Sequence, residues 1–219
     1  MYKYLLFDLD GTISDSGPGI TKSVQYGLEK IGIIESDLEK LKAFIGPPLR
    51  DSFKNFYNLT DEKTEEAVKY YRERYAPIGI FENNLYEGIP ELLKKLHEDG
   101  FVLCLASSKP KVFVERILKH FDIFDYFNVV MGSNLDGSLE NKEDIIAECL
   151  KEFSNAEGFK LSDCLMIGDR KFDIEAAHKC GIKCAGVSYG FGSLEELKEY
   201  KADYICESVD ELGKLIANV

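Results

Sequence analysis

Apolar and polar positions follow two different rhythms along the 219 residues, and the change of rhythm divides the chain. It opens on a nearly continuous apolar run, Tyr2-Lys3-Tyr4-Leu5-Leu6-Phe7, which reads as a strand buried on both faces. Residues 17–83 then read as helix after helix. Residues 20–31 carry Val24, Leu28 and Ile31 at helical spacing, and residues 38–45 and 49–57 continue the pattern on either side of Gly46-Pro47-Pro48. Thr60 is the expected N-cap of a helix that starts at Asp61-Glu62 and runs to about Tyr75. No strand is expected in this stretch, and residues 79–84 are expected to form the return linker.

From residue 85 onward, helix and strand alternate. Pro90 and Gly100 bracket a helix over 90–99, and Phe101-Val102-Leu103-Cys104-Leu105 is a short apolar run suited to a parallel strand covered on both sides. Helices are expected over 111–120, 142–153, 173–179, 193–200 and 209–216. Strands are expected over 127–131, 164–167, 184–187 and 204–206, with Gly181 closing the helix before the third of these. Repeated strand-helix units imply a parallel sheet with helices on both faces. The predicted architecture is therefore α/β: a doubly wound, Rossmann-like core from residues 1–16 and 84–219, with an all-helical cap inserted at 17–83. In such a sheet, ligands bind beyond the carboxyl ends of the strands.

Composition narrows the field. The formal charge is -12, and the basic residues cluster no further than pairs such as Lys94-Lys95, which argues against nucleic-acid polymers and anionic membranes as partners. The N-terminus lacks the apolar core of a secretory signal, no apolar segment approaches spanning length, and the expectation is a cytoplasmic protein. Cys104, Cys149, Cys164, Cys180, Cys184 and Cys206 lie scattered in apolar surroundings with no zinc-site spacing, so they read as reduced core residues. His97, His120 and His178 fall late in helical patterns, where they suit the helix dipole and not metal ligation.

The chemistry gathers at strand ends. The first strand runs into Asp8-Leu9-Asp10-Gly11-Thr12, and Leu165-Met166-Ile167-Gly168-Asp169-Arg170-Lys171-Phe172-Asp173 repeats the theme of an apolar strand ending in carboxylates. Residues two apart in a strand point the same way, so Asp8 and Asp10 can face one pocket while Leu9 turns into the core. Burying paired carboxylates costs several kcal/mol unless a cation compensates, and a hard divalent metal with oxygen ligands is the natural one. Asp8, Asp10, Asp169 and Asp173 are the candidate magnesium ligands. One carboxylate can act as nucleophile toward phosphorus and its neighbour as acid and base. Gly11, Thr12, Ser107, Ser108 and Lys142 are the candidates for holding phosphate.

At these residues the chain resembles the haloacid dehalogenase-like hydrolase superfamily, in particular its phosphoglycolate phosphatase-like members with a helical cap. The resemblance covers essentially the whole chain. It implies that Asp8 is phosphorylated, and that Asp10 protonates the leaving group and then activates water. It further implies that Asp8, the backbone carbonyl of Asp10 and Asp169 hold magnesium with Asp173 in support, and that Ser107 and Lys142 are the second- and third-motif residues. Ser108 stands where family members often have asparagine. Phe44-Ile45-Gly46-Pro47-Pro48-Leu49-Arg50 looks like a specificity loop, with Arg50 directed to a distal anionic group of the substrate. Tyr189-Gly190-Phe191-Gly192 is expected to turn the backbone near the site without chemistry of its own.

The implied function is a magnesium-dependent phosphatase acting on a small phosphorylated metabolite, phosphoglycolate phosphatase-like. A 5′-nucleotidase or pyrophosphatase of the same superfamily and a phosphomutase of the beta-phosphoglucomutase type are the alternatives, and residues 82–86 look most like nucleotidase-type members. A receiver-like phospho-switch would need neither a cap nor Asp10, and a dehalogenase would need no metal cluster.

Overall fold

The computed structural model describes residues 2–219. The chain divides into two compact units, one formed by Met1–Ser14 and Leu85–Val219, the other by Asp15–Asn84. The strands, in chain order, are β1 (Tyr4–Phe7), β2 (Ser14–Asp15), β3 (Asn84–Leu85), β4 (Val102–Pro110), β5 (Val129–Ser133), β6 (Cys164–Gly168), β7 (Lys183–Val187) and β8 (Tyr204–Cys206). The chain leaves the first unit at β2 and returns at β3.

The larger unit is built on a six-stranded sheet in the order β5-β4-β1-β6-β7-β8, and its neighbouring strands all pair in parallel. β1 is central and wholly buried, as its unbroken apolar run requires. The chain winds outward from β1 through β4 and β5 on one side and through β6, β7 and β8 on the other. This reversal makes the carboxyl end of β1 the topological switch point, where an open α/β sheet forms its crevice. Phe7 lies level with Leu105 of β4 and Ile167 of β6, so the residues that follow each of these three emerge together at the same end.

Four helices belong to the smaller unit: α1 (Gly17–Lys30), α2 (Leu38–Leu41), α3 (Leu49–Tyr57) and α4 (Asp61–Tyr75). Thr60 caps α4 as its sequence predicts, accepting from the Lys63 amide at 3.3 Å. The stretch expected as one helix over 38–45 is instead a single α turn followed by a 3-10 turn, Lys42–Phe44. Ile45 then turns extended, and Gly46, whose place before Pro47 disfavours the helical conformation, takes φ +106°.

The described residues of the larger unit form six α-helices: α5 (Ile89–Glu98), α6 (Lys111–His120), α7 (Lys142–Phe153), α8 (Lys171–Lys179), α9 (Leu194–Glu199) and α10 (Val209–Asn218). Ser193 and Ser208 cap α9 and α10 through their hydroxyls. Gly181, at φ +75°, closes α8 in the left-handed conformation that favours glycine. β5 begins at Val129 and not at Phe127, because a 3-10 turn over Phe124–Tyr126 occupies the approach. The six cysteines are free thiols; five are buried and Cys180 is half-buried. Burial pushes the thiols of Cys104, Cys164, Cys184 and Cys206 up, in keeping with inert core residues. Among the described residues, no helix is long and apolar enough to cross a membrane.

Candidate active site

Asp8, Asp10, Lys109, Lys142, Asp169 and Asp173 are all buried within the larger unit. The central strand delivers the first pair. The Asp8 amide continues the sheet ladder by donating to the Ile167 carbonyl at 2.9 Å, and Leu9 is fully buried between the two aspartates. Gly11 follows at φ +89°, a conformation that side chains disfavour, and any Cβ there would run into the Asp169 carboxylate. Glycine thus lets the loop after β1 lie directly against the loop after β6.

β6 supplies the second set. Asp169 follows its last residue, and Asp173 lies in the first turn of α8, where it accepts from the Arg170 amide at 3.1 Å. Ligand-capable oxygens of Asp8, Asp169 and Asp173 all lie within 4.8 Å of one another. Lys142, the first residue of α7, is also buried, and its ammonium donates to Asp8 Oδ1 at 2.6 Å and the Ala106 carbonyl at 2.8 Å, with Asp173 Oδ1 also at 2.8 Å.

The electrostatics follow from that packing. Burial pushes the Asp8 carboxyl up to about 6; Lys142 pulls it back, while Asp173 and Asp10 push it further. Burial also drives Asp169 well above the usual carboxylate range, reinforced by Asp173 and Asp8 and opposed by the Phe191 amide. For Lys142, burial disfavours the ammonium, but the carboxylates of Asp173 and Asp8 outweigh it and hold its pKa above the ordinary lysine value. Asp169 Oδ1 is buried without a hydrogen-bond partner. With all three carboxylates ionised, as metal ligands are, one ammonium leaves a formal excess of two negative charges in this pocket. An all-oxygen donor set with an orphaned oxygen and a charge deficit of two fits a hard divalent cation.

Ser107 is buried on β4, and its Oγ accepts from the Lys109 amide at 3.4 Å. The carbonyl of Ser108 accepts from Ser133 Oγ at 2.8 Å. Thr12 Oγ1 is buried and has no hydrogen-bond partner. Arg50 is on α3 of the smaller unit, where its Nε donates to Glu65 Oε1 at 2.5 Å and a terminal nitrogen to Oε2 at 3.1 Å.

Two contributors escaped sequence reasoning. Lys109 donates to Asp10 Oδ1 at 2.5 Å, both side chains being about nine-tenths buried. The available signal was a lysine placed between the Ser107-Ser108 pair and Pro110 at a strand end. The loop after β7 also takes a direct part, since the Phe191 amide donates to Asp169 Oδ2 at 2.7 Å and the Tyr189 hydroxyl donates to the Thr12 carbonyl at 3.0 Å. A Cβ at Gly190 would strike both the Gly11 carbonyl and Asp169, so the glycine permits that approach. Backbone amides carry no side-chain signature, which is why the loop read as a mere turn.

Comparison with known proteins decides the family. A family model described as haloacid dehalogenase-like hydrolase matches residues 5–187. This chain belongs to the haloacid dehalogenase-like hydrolases. It is 43% identical to a 5′-nucleotidase of Pseudomonas aeruginosa over 215 residues, covering 98% of this hydrolase and 96% of the relative. It is 30% identical to a phosphoglycolate phosphatase of Vibrio parahaemolyticus over 223 residues, covering 98% and 96% respectively. Among solved structures, a predicted phosphatase from Clostridium acetobutylicum superposes with a TM-score of 0.95 at 47% identity, over the full length of both chains. The six-stranded parallel sheet with its flanking helices is thus the fold of a haloacid dehalogenase-like hydrolase, and the resemblance read from the motifs is correct.

Proposed function

We propose that this hydrolase is a magnesium-dependent phosphatase that cleaves a small phosphomonoester through an aspartyl-phosphate on Asp8. The observation that carries the reading is the grouping of Asp8 with Asp169, Asp173 and Lys142 in a buried pocket with a formal excess of two negative charges, beside a separately paired Asp10. Asp8, Asp169 and Asp173, with the backbone carbonyl of Asp10, would hold magnesium, which when bound offsets the charge of the phosphoryl group.

In the first step an Asp8 carboxylate oxygen forms a bond to phosphorus as the bond to the leaving oxygen breaks. Asp10, entering as the carboxylic acid, gives its proton to that oxygen, so the products are an acyl phosphate, a free alcohol and the Asp10 carboxylate. In the second step water attacks phosphorus and passes a proton to Asp10. The bond to Asp8 breaks, inorganic phosphate leaves, and both aspartates return to their starting states. Lys142 keeps Asp8 in place and shields its charge from the incoming phosphate, while the hydroxyls of Thr12 and Ser107 suit phosphoryl oxygens.

For the substrate, the 43% identity to a 5′-nucleotidase favours a nucleoside 5′-monophosphate. The more distant phosphoglycolate phosphatase supports a small phosphorylated acid as the second reading. Release of inorganic phosphate, measured with magnesium over a panel holding both classes, tests this. A nucleoside monophosphate should lead the panel, and the absence of turnover on every phosphomonoester would overturn the phosphatase reading itself.

A further inference from the structure

Lys109 owes its position to an irregularity in the sheet. Ser107 is level with Gly132 of β5, yet the next registered pair is Pro110 with Ser133, so β4 carries two extra residues, Ser108 and Lys109, where β5 has none. Bulges of this kind occur beside active sites, where they re-aim a side chain that a regular strand would point elsewhere. Local contacts hold this one. The Lys109 amide donates to Ser107 Oγ, Ser133 Oγ donates to the Ser108 carbonyl, and a Cβ at Gly132 would crowd the Lys109 carbonyl and the Lys111 backbone. The outcome is an ammonium on Asp10 Oδ1, in a pair with side-chain exposures of only 6% and 10%.

A buried lysine loses side-chain entropy and must be desolvated, so the bulge that brings it to Asp10 needs a return. Neutralising Asp10 is one return. The geometry offers another, because an ammonium fixed on Oδ1 restrains the rotamer of the Asp10 carboxyl.

We propose that Lys109 is a positioning residue for leaving-group protonation: the β4 bulge aims it at Asp10, and its grip on Oδ1 holds that carboxyl in the orientation from which it serves the departing oxygen. The inference rests on the proposed role of Asp10. It gives the two buried lysines separate tasks, Lys142 serving the nucleophile and Lys109 the acid.

The test exploits leaving groups that differ in their need for a proton. An alkyl phosphate such as a nucleoside 5′-monophosphate expels a poor leaving group that requires protonation, whereas 4-nitrophenyl phosphate expels a phenolate that leaves readily without it. Both are assayed on the same magnesium-saturated preparation of Lys109→Met, and the ratio of the two kcat/KM values is read because it reports leaving-group departure, ahead of the intermediate the two substrates share, and does not depend on the fraction of protein correctly folded. General acid catalysis contributes roughly 10²–10⁴-fold, so Lys109→Met should lower the alkyl-to-aryl ratio by about tenfold or more. Lys109→Arg, which keeps a cation on the bulge, should hold the ratio within about threefold of the native value. An unchanged ratio in Lys109→Met, with equal losses on both substrates, would reduce Lys109 to a structural partner of Asp10. Asp10→Asn separates the two claims. If it too leaves the ratio unchanged, the role of Asp10 as acid is what fails; if it collapses the ratio while Lys109→Met does not, only the positioning role falls.

Discussion

Replacing Lys142 by methionine is the most revealing perturbation of the pocket. The side chain keeps much of its apolar length, but the ammonium disappears, and with it the interactions with Asp8, Asp173 and the Ala106 carbonyl at 2.6, 2.8 and 2.8 Å. Asp8, Asp173 and Asp169 then remain buried with no lysine among them. Removing one partner of a buried ion pair typically costs about 3–5 kcal/mol, because the remaining charge is left uncompensated. For a chain of this length each kcal/mol moves Tm by about 2–4 °C, so Lys142→Met should melt about 6–20 °C lower in chelator at pH 7.5.

The deficit should also depend on pH, with a sign that follows from linkage. Burial holds the Asp8 carboxyl up at about 6, above the ordinary aspartate value, so between roughly pH 4 and 6 the folded state binds more protons than the unfolded one and stability falls as pH rises. Without Lys142 the Asp8 carboxyl rises further, which extends that window upward. The variant should therefore recover part of its lost stability as the pH is lowered from 7.5 to 5.5. Calorimetric or fluorimetric melting of both proteins across that range in chelator is the assay. A loss under about 1 kcal/mol at pH 7.5, or a gap that widens on acidification, would refute the view of Lys142 as the compensating charge.

Asp8→Asn should fold and yet lose turnover almost entirely, because an amide cannot form an acyl phosphate; phosphate release by a well-folded variant would remove Asp8 as nucleophile. Magnesium should raise Tm in the absence of substrate, by about 2.7 kcal/mol of added stability at a hundred times its Kd, and chelator should abolish activity until magnesium is restored. An unmoved Tm at saturating magnesium would argue against the carboxylate pocket as a metal site. Gly190→Ala should weaken activity far more than a loop glycine change ordinarily would, because the new methyl group strikes Asp169 and the Gly11 carbonyl; magnesium titration followed by melting should show a poorer Kd.

Much of this protein was legible along the chain because the relevant physics is local. The apolar run of β1, the N-cap Thr60 and the glycine after α8 each act within a few residues, and the elements they predict are present. Carboxylates at strand ends were legible too, since the end of a strand in a parallel sheet is where ligands meet the backbone. What local pattern could not determine is which ends become neighbours; only the paired motifs and the family resemblance grouped Asp8 with Asp169. Asp8 and Asp169 are 161 positions apart, and only the strand order, with β6 beside β1, brings them into one pocket. Strand order is a property of how whole surfaces bury one another, so no local pattern encodes it. The same reason hid Lys109 and Phe191. A two-residue bulge against β5 aims the first, and a backbone amide supplied by the loop after β7 fixes the carboxylate that the second contacts. Register and amide direction exist only once the sheet has formed, and these lone contributors became visible there, from the packing of strands distant in the chain.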